Sequence, residues 1–129
     1  MNLTEPPVIQ DLRREAKTDP EVLAVAFFGS YARGEEYRDI DICIFLSPKE
    51  YSPLELSQIK LSYTPEDEHY DVQVFQQLPL YIQARILNEA KIIYCKNEDQ
   101  LYDLYFAVER EFEHFKPIYE SYLEGVESG

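Results

Sequence analysis

The 129-residue chain has no tryptophan, one methionine, two cysteines and four glycines, and its 12 lysines and arginines face 25 aspartates and glutamates. Each shortage narrows what the molecule does. Cys43 and Cys95 have neither metal-ligand spacing nor the density of a disulfide framework, so they read as buried free thiols. With a net charge of −13 there is no basic field to gather a polyanion, and nucleic acid is not expected as a macromolecular substrate. The same balance favours solubility and a basic protein partner. No apolar run approaches the length of a membrane span, and the opening residues lack the basic-then-apolar order of a signal peptide. A soluble, cytoplasmic protein without membrane contact is the expectation. His69 and His114 have no companions at ligand spacing and are expected at the surface.

What is present is organised by hydrophobic period. The length suits one domain, read here as residues 1–129, with a core over about 6–95 and a C-terminal helical segment over about 98–124. Val8, Ile9, Leu12 and Ala16 have helical spacing, and Asp19-Pro20 closes that helix. Residues 22–28 are apolar throughout, as in a strand covered on both sides. Residues 39–46 form a second strand, 53–62 a helix, and 70–75 an alternating third strand with Val72 and Val74 toward the core. A helix follows Leu78-Pro79, a short strand covers 92–94, and an amphipathic helix from 98 to 115 resumes after Pro117. The aromatic residues of that last segment, Tyr119 and Tyr122 among them, exceed the needs of a small core and suit a partner surface. The fold class is α/β (α+β): a small mixed sheet with helices packed on one face and a C-terminal helical tail.

The chemistry concentrates between the first two strands. Phe27-Phe28 runs into Gly29-Ser30-Tyr31-Ala32-Arg33-Gly34, and Asp39-Ile40-Asp41 then opens the next apolar run. Gly29 allows a phosphate to approach the backbone, and Ser30 is a good N-cap whose hydroxyl and following amides would face an anion. Arg33, within one helical turn, is a bidentate phosphate donor in reach of the same anion. Asp39 and Asp41 project from the same strand face, where their mutual repulsion calls for a cation. Oxygen ligands of this kind suit magnesium, which takes its remaining ligands from water and substrate phosphates. One short segment thus offers an anion site beside a cation site. If the strand at 70–75 lies beside the second in matching register, Asp71 joins them.

These residues resemble the nucleotidyltransferase superfamily related to DNA polymerase beta. The Gly-Ser-Tyr-Ala-Arg-Gly spelling and the small size are similar to its minimal nucleotidyltransferases, the antitoxin-type partners of HEPN-domain proteins. The match is specific over residues 27–46, extends through 70–75 and is looser after residue 79. Family members commonly carry serine where this chain has Arg38, a cation that either assists phosphate binding or crowds the site. The resemblance implies a nucleotidyltransferase fold and transfer of AMP from ATP to a hydroxyl. Asp39, Asp41 and Asp71 would hold two magnesium ions and act as the catalytic set, while Gly29, Ser30, Arg33 and Arg38 would bind the nucleotide. A tyrosine of a HEPN toxin is the implied acceptor. Two other readings stand beside it: a binding-type antitoxin that acts by stoichiometric complex formation, and an adenylyltransferase for small molecules such as aminoglycosides. Base preference and oligomeric state, a homo-oligomer included, stay open at this point.

Overall fold

The computed structural model describes residues 7–128, and the side chains of all of these except residues 119, 122 and 126–128. Its centre is the strand that the sequence makes apolar on both faces, β1 (Val22–Phe28). β2 (Ile40–Leu46) pairs with it antiparallel, β3 (Tyr70–Val74) pairs parallel with β2, and β4 (Lys91–Cys95) pairs antiparallel with the other edge of β1. The mixed sheet therefore has the order β3-β2-β1-β4.

Helices cover both faces of the sheet, which corrects the expectation of helices on one face. Alternating strand residues point to opposite sides, and here both sides are apolar. Val25, Phe27, Ile42, Ile44, Val72 and Val74 pack with Ile9, Leu12 and Ala16 of α1 (Pro7–Thr18) and with Ile59 and Tyr63 of α3 (Pro53–Tyr63). Ala24, Ala26, Cys43 and Phe45 pack with Phe75, with Ile86 of α4 (Leu80–Glu89) and with Leu101 and Val108 of α5 (Glu98–Ser128). The alanines of β1 leave room for the two helices, and Phe45 stacks on Phe75 at 4.6 Å between ring centroids. Full burial of each large apolar side chain contributes about 1.5–3 kcal/mol, so two such layers hold the strand ends where they meet. Between β1 and β2 lies α2 (Gly29–Ala32), a single turn.

The strand boundaries follow local chemistry. Ser52 begins α3 through a capping box, its Oγ accepting from the Glu55 amide at 3.1 Å while its own amide donates to the Glu55 carboxylate at 2.9 Å. Pro117 lies inside α5 without ending it. Beyond Val108 none of the described α5 side chains is buried, and Phe106, Ile118 and Leu123 are exposed. The side chains of Tyr119 and Tyr122, expected on this surface, lie outside the described residues. Cys43 is buried as expected, whereas Cys95, at the end of edge strand β4, is only partly covered. His69 and His114 are exposed.

A partly buried polar contact ties α3 to the turn before β1. The Tyr63 hydroxyl, on a side chain 1% exposed, donates to Asp19 Oδ2 at 2.9 Å. Tyr63→Phe is expected to lower stability by about 1–2 kcal/mol in urea denaturation, with an unchanged slope. A loss under about 0.3 kcal/mol would mean that the hydroxyl is solvated equally well without Asp19.

Candidate active site

The start of β2, the start of β3 and the end of β1 meet at one edge of the sheet. Parallel pairing sets Ile40 opposite Tyr70 and Asp41 opposite Asp71, and antiparallel pairing sets Phe28 opposite Asp41. The Ile40 amide donates to the His69 carbonyl at 2.8 Å, which closes the β2–β3 pair one residue ahead of the acids. Asp41 and Asp71 thus sit level, on the sheet face that α4 and α5 cover further along. Asp39 lies in the bend just before β2 and is exposed, as is Asp71, while Asp41 is half-buried.

The electrostatics of the cluster show at Asp41. The Asp41 carboxyl is pushed up to about 6, first by burial, then by the charges of Asp71 and Asp39; Arg33 opposes the shift and Glu89 adds to it. Burial and neighbouring like charge both disfavour the ionised form, and a cation among these acids would oppose both. All-oxygen donors in mutual repulsion fit a hard divalent ion. Among the described residues, however, no three acidic, histidine or cysteine side chains already stand as a closed ligand set. Gln73, two residues along β3, holds Asp71 through weak amide contacts of 3.3 and 3.4 Å to its two oxygens. Sequence reasoning passed over Gln73, although its place on the same strand face as Asp71 was the available signal.

The bend opposite these acids differs from the sequence expectation in two respects. Gly29 adopts φ +77°, and a Cβ there would overlap Asp41 Oδ2, so glycine is required both for the backbone and for the close approach of the carboxylate. That conformation starts α2 at Gly29, with Phe28 in the N-cap position and no side-chain cap. Ser30 is therefore inside the turn and not its N-cap. Arg33, expected to face phosphate, is instead engaged by two acids. Its Nη1 donates to both oxygens of Glu89 at 3.0 Å, and its Nε lies 3.1 Å from Glu35. The Gly29 amide also donates to Glu89, at 3.2 Å.

Tyr31 packs edge-on between Phe27 and Tyr37, with ring centroids 4.9 and 4.8 Å away. Arg38 is exposed and beside Asp39 in the chain. The apolar groove lined by Leu23, Leu46, Tyr51, Leu56 and Leu104 lies at the other end of the sheet and contains none of these residues.

This arrangement coincides with a known family. The model described as polymerase beta, nucleotidyltransferase, matches residues 10–99, which include every candidate site residue. The chain belongs to that family. A protein of Methanocaldococcus jannaschii named as a protein adenylyltransferase is 34% identical over 76 residues, a match that spans 57% of this chain and 57% of the relative. The chain thus matches little more than half the length of that curated relative. Among solved structures, a toxin–antitoxin with AMP-PNP superposes with a TM-score of 0.70 at 16% identity, covering 92% of this chain and 95% of the other. The complex of tri-AMPylated Shewanella oneidensis HEPN toxin with MNT antitoxin gives a TM-score of 0.67 at 13% identity, covering 92% of each chain. At those identities the likeness establishes the nucleotidyltransferase fold. Among the described residues no helix is long and apolar enough to cross a membrane.

Proposed function

We propose that the protein transfers AMP from ATP to a hydroxyl group, with a tyrosine of a HEPN-type partner as acceptor, and that it acts as the antitoxin of that partner. The observation that carries the chemistry is the parallel register of Asp41 with Asp71 beside the Gly29 bend. Family membership supports the reaction type. The relative named as a protein adenylyltransferase supports a protein acceptor, and the complex with an AMPylated HEPN toxin supports the partner class. The exposed apolar side chains of α5 supply surface for such a partner.

In the reaction the acceptor oxygen bonds to the α phosphorus of ATP, the bond from that phosphorus to the bridging oxygen breaks, and pyrophosphate departs. Asp39, Asp41 and Asp71 would hold the divalent metal, a magnesium ion or a pair of them. When bound, the metal supplies charge neutralisation at the phosphates and lowers the pKa of the attacking hydroxyl. Asp71, exposed on the outer strand, would receive the hydroxyl proton. The Gly29 bend and Ser30 position the phosphates, and exposed Arg38 adds a cation at the rim. For a phosphate to use Arg33 as well, it must compete with Glu89 and Glu35.

The test is incubation with ATP, magnesium and the product of the gene adjacent to this chain's own, read by intact mass. The expected result is an AMP increment on the partner, located on a tyrosine by peptide mapping. If the partner is inhibited without any added mass, and Asp41→Asn inhibits equally, the protein acts by stoichiometric binding. The exposed apolar side chains along α5 are the observation that favours this second reading. Modification of an aminoglycoside but not of the partner would point instead to a small-molecule acceptor.

A further inference from the structure

We propose that Glu89, a residue outside the nucleotide-binding motif, is a positioning residue that braces the Gly29–Arg33 bend from behind, and that Arg33 works with it as part of the brace instead of as a phosphate donor. The inference rests on the nucleotide-binding reading above and deepens it.

The sheet brings Glu89 to this place. β4 runs antiparallel to β1 with Lys91 opposite Phe27. Two residues before Lys91, at the last turn of α4, therefore lies beside two residues after Phe27, at the first residue of α2. The Glu89 carboxylate there is 16% exposed and accepts from the Gly29 amide at 3.2 Å and from Arg33 Nη1 at 3.0 Å. Its two contacts grip the beginning and the end of one helical turn.

An isolated turn of four residues is costly to form, because its dihedrals are fixed in return for only a few backbone hydrogen bonds. Here three close the bend, from the Arg33 amide to Gly29, from the Gly34 amide to Tyr31 and from the Glu35 amide to Ser30, at 3.1, 3.1 and 3.0 Å. The left-handed glycine at its start adds a conformation that the chain otherwise leaves readily. External ties are needed, and Glu89 supplies one at each end. Ser30, held between those ends, is thereby set relative to Asp41, whose carboxylate approaches Gly29 closely.

The charges are consistent with a brace. Arg33 and Glu89 carry opposite charges and stand in a close ion pair at 3.0 Å. Glu89, a low-exposure carboxylate, shares the Arg33 guanidinium with a second acid, Glu35, so a phosphate reaching Arg33 must displace at least one of the two. The phosphate contacts then fall to Ser30, the remaining bend and Arg38.

Glu89→Ala, Glu89→Gln, Arg33→Ala and the Arg33/Glu89 double alanine variant decide the matter by two measurements. Amide hydrogen exchange over residues 29–35 is expected to rise about tenfold or more in Glu89→Ala and Arg33→Ala, and less in Glu89→Gln, which keeps a neutral acceptor for Gly29. Affinity for a non-hydrolysable ATP analogue with magnesium, by calorimetry, is expected to fall about tenfold in each alanine variant and no further in the double variant. Tighter binding by Glu89→Ala would overturn the inference, since Glu89 would then be a competitor of phosphate. Unchanged exchange would overturn it too, as would losses that multiply in the double variant. If the native protein binds no nucleotide, the transferase reading fails, and the exchange measurement alone decides whether Glu89 braces the bend.

Discussion

Asp41→Asn is expected to make the metal-free protein more stable while abolishing transfer. The Asp41 carboxyl is pushed up to about 6 in the folded chain, from an ordinary value of 3.8. Between those two values the folded state binds more protons than the unfolded state. Stability therefore falls as pH rises through that window, and the full penalty for the charged form persists above it. Because Asp41 is only half-buried, solvent screening reduces that penalty to about 1 kcal/mol. Asparagine removes the charge without removing the volume. Thermal melts at pH 7.5 without divalent metal should show a midpoint about 3–6 °C higher for the variant. The difference should shrink as pH falls and vanish only below about pH 3, where the carboxyl is protonated in both states. Transfer by the same variant should fall at least about a thousandfold, because the half-buried carboxylate opposite the bend is lost. A variant that melts lower than the native protein at pH 7.5 would show that Asp41 is not in conflict with its neighbours. Such exchange of stability for chemistry is expected where like charges converge on a ligand.

Gly29→Ala is expected to do damage of the other kind, lowering stability and activity together. At φ +77° an added Cβ incurs a conformational cost of about 1–2 kcal/mol. It also meets the Asp41 carboxylate, whose retreat is hindered by burial and by Asp71 across the strand pair. The combined loss should reach about 2–4 kcal/mol, with transfer reduced more than about a hundredfold as the bend shifts from the acids. Gly34 is the internal control. It too has positive φ, +74°, but nothing lies within 4 Å of a Cβ placed there. Gly34→Ala should therefore cost only the conformational part, about 1–2 kcal/mol, and leave most transfer intact. Equal activity losses at the two positions would show that backbone conformation, and not the approach of Asp41, sets the requirement at Gly29. Chemical denaturation and single-turnover transfer measure the two effects separately.

The strands and helices were largely legible because both faces of the sheet are buried and the apolar runs are long. Residues 22–28 could hardly be anything but a central strand, and β1 occupies that position. The layering was legible only in part: the apolar run at 22–28 pointed to cover on both sides, but Ala24, Ala26 and Cys43 are too small to show that a second layer of helices packs there. The bend shows a similar limit. Glycine and serine there were noticed as a motif, but the sequence reading assigned Ser30 to the N-cap, whereas the positive φ of Gly29 starts the turn one residue earlier. Arg33 was read with phosphate in mind because its partner Glu89 is distant in the chain, and no local pattern links them.

By itself, the order of residues determined the glycine at the bend, the two acids on alternate positions before an apolar strand, and the family signature they spell. These are properties of spacing along one backbone, where period and side-chain chemistry suffice. Tertiary structure decided that Asp71 stands opposite Asp41 and that Glu89 reaches Gly29 and Arg33. Both depend on which strand pairs with which and in what register, and those choices are made by burial on the two sheet faces, far from the residues they bring together.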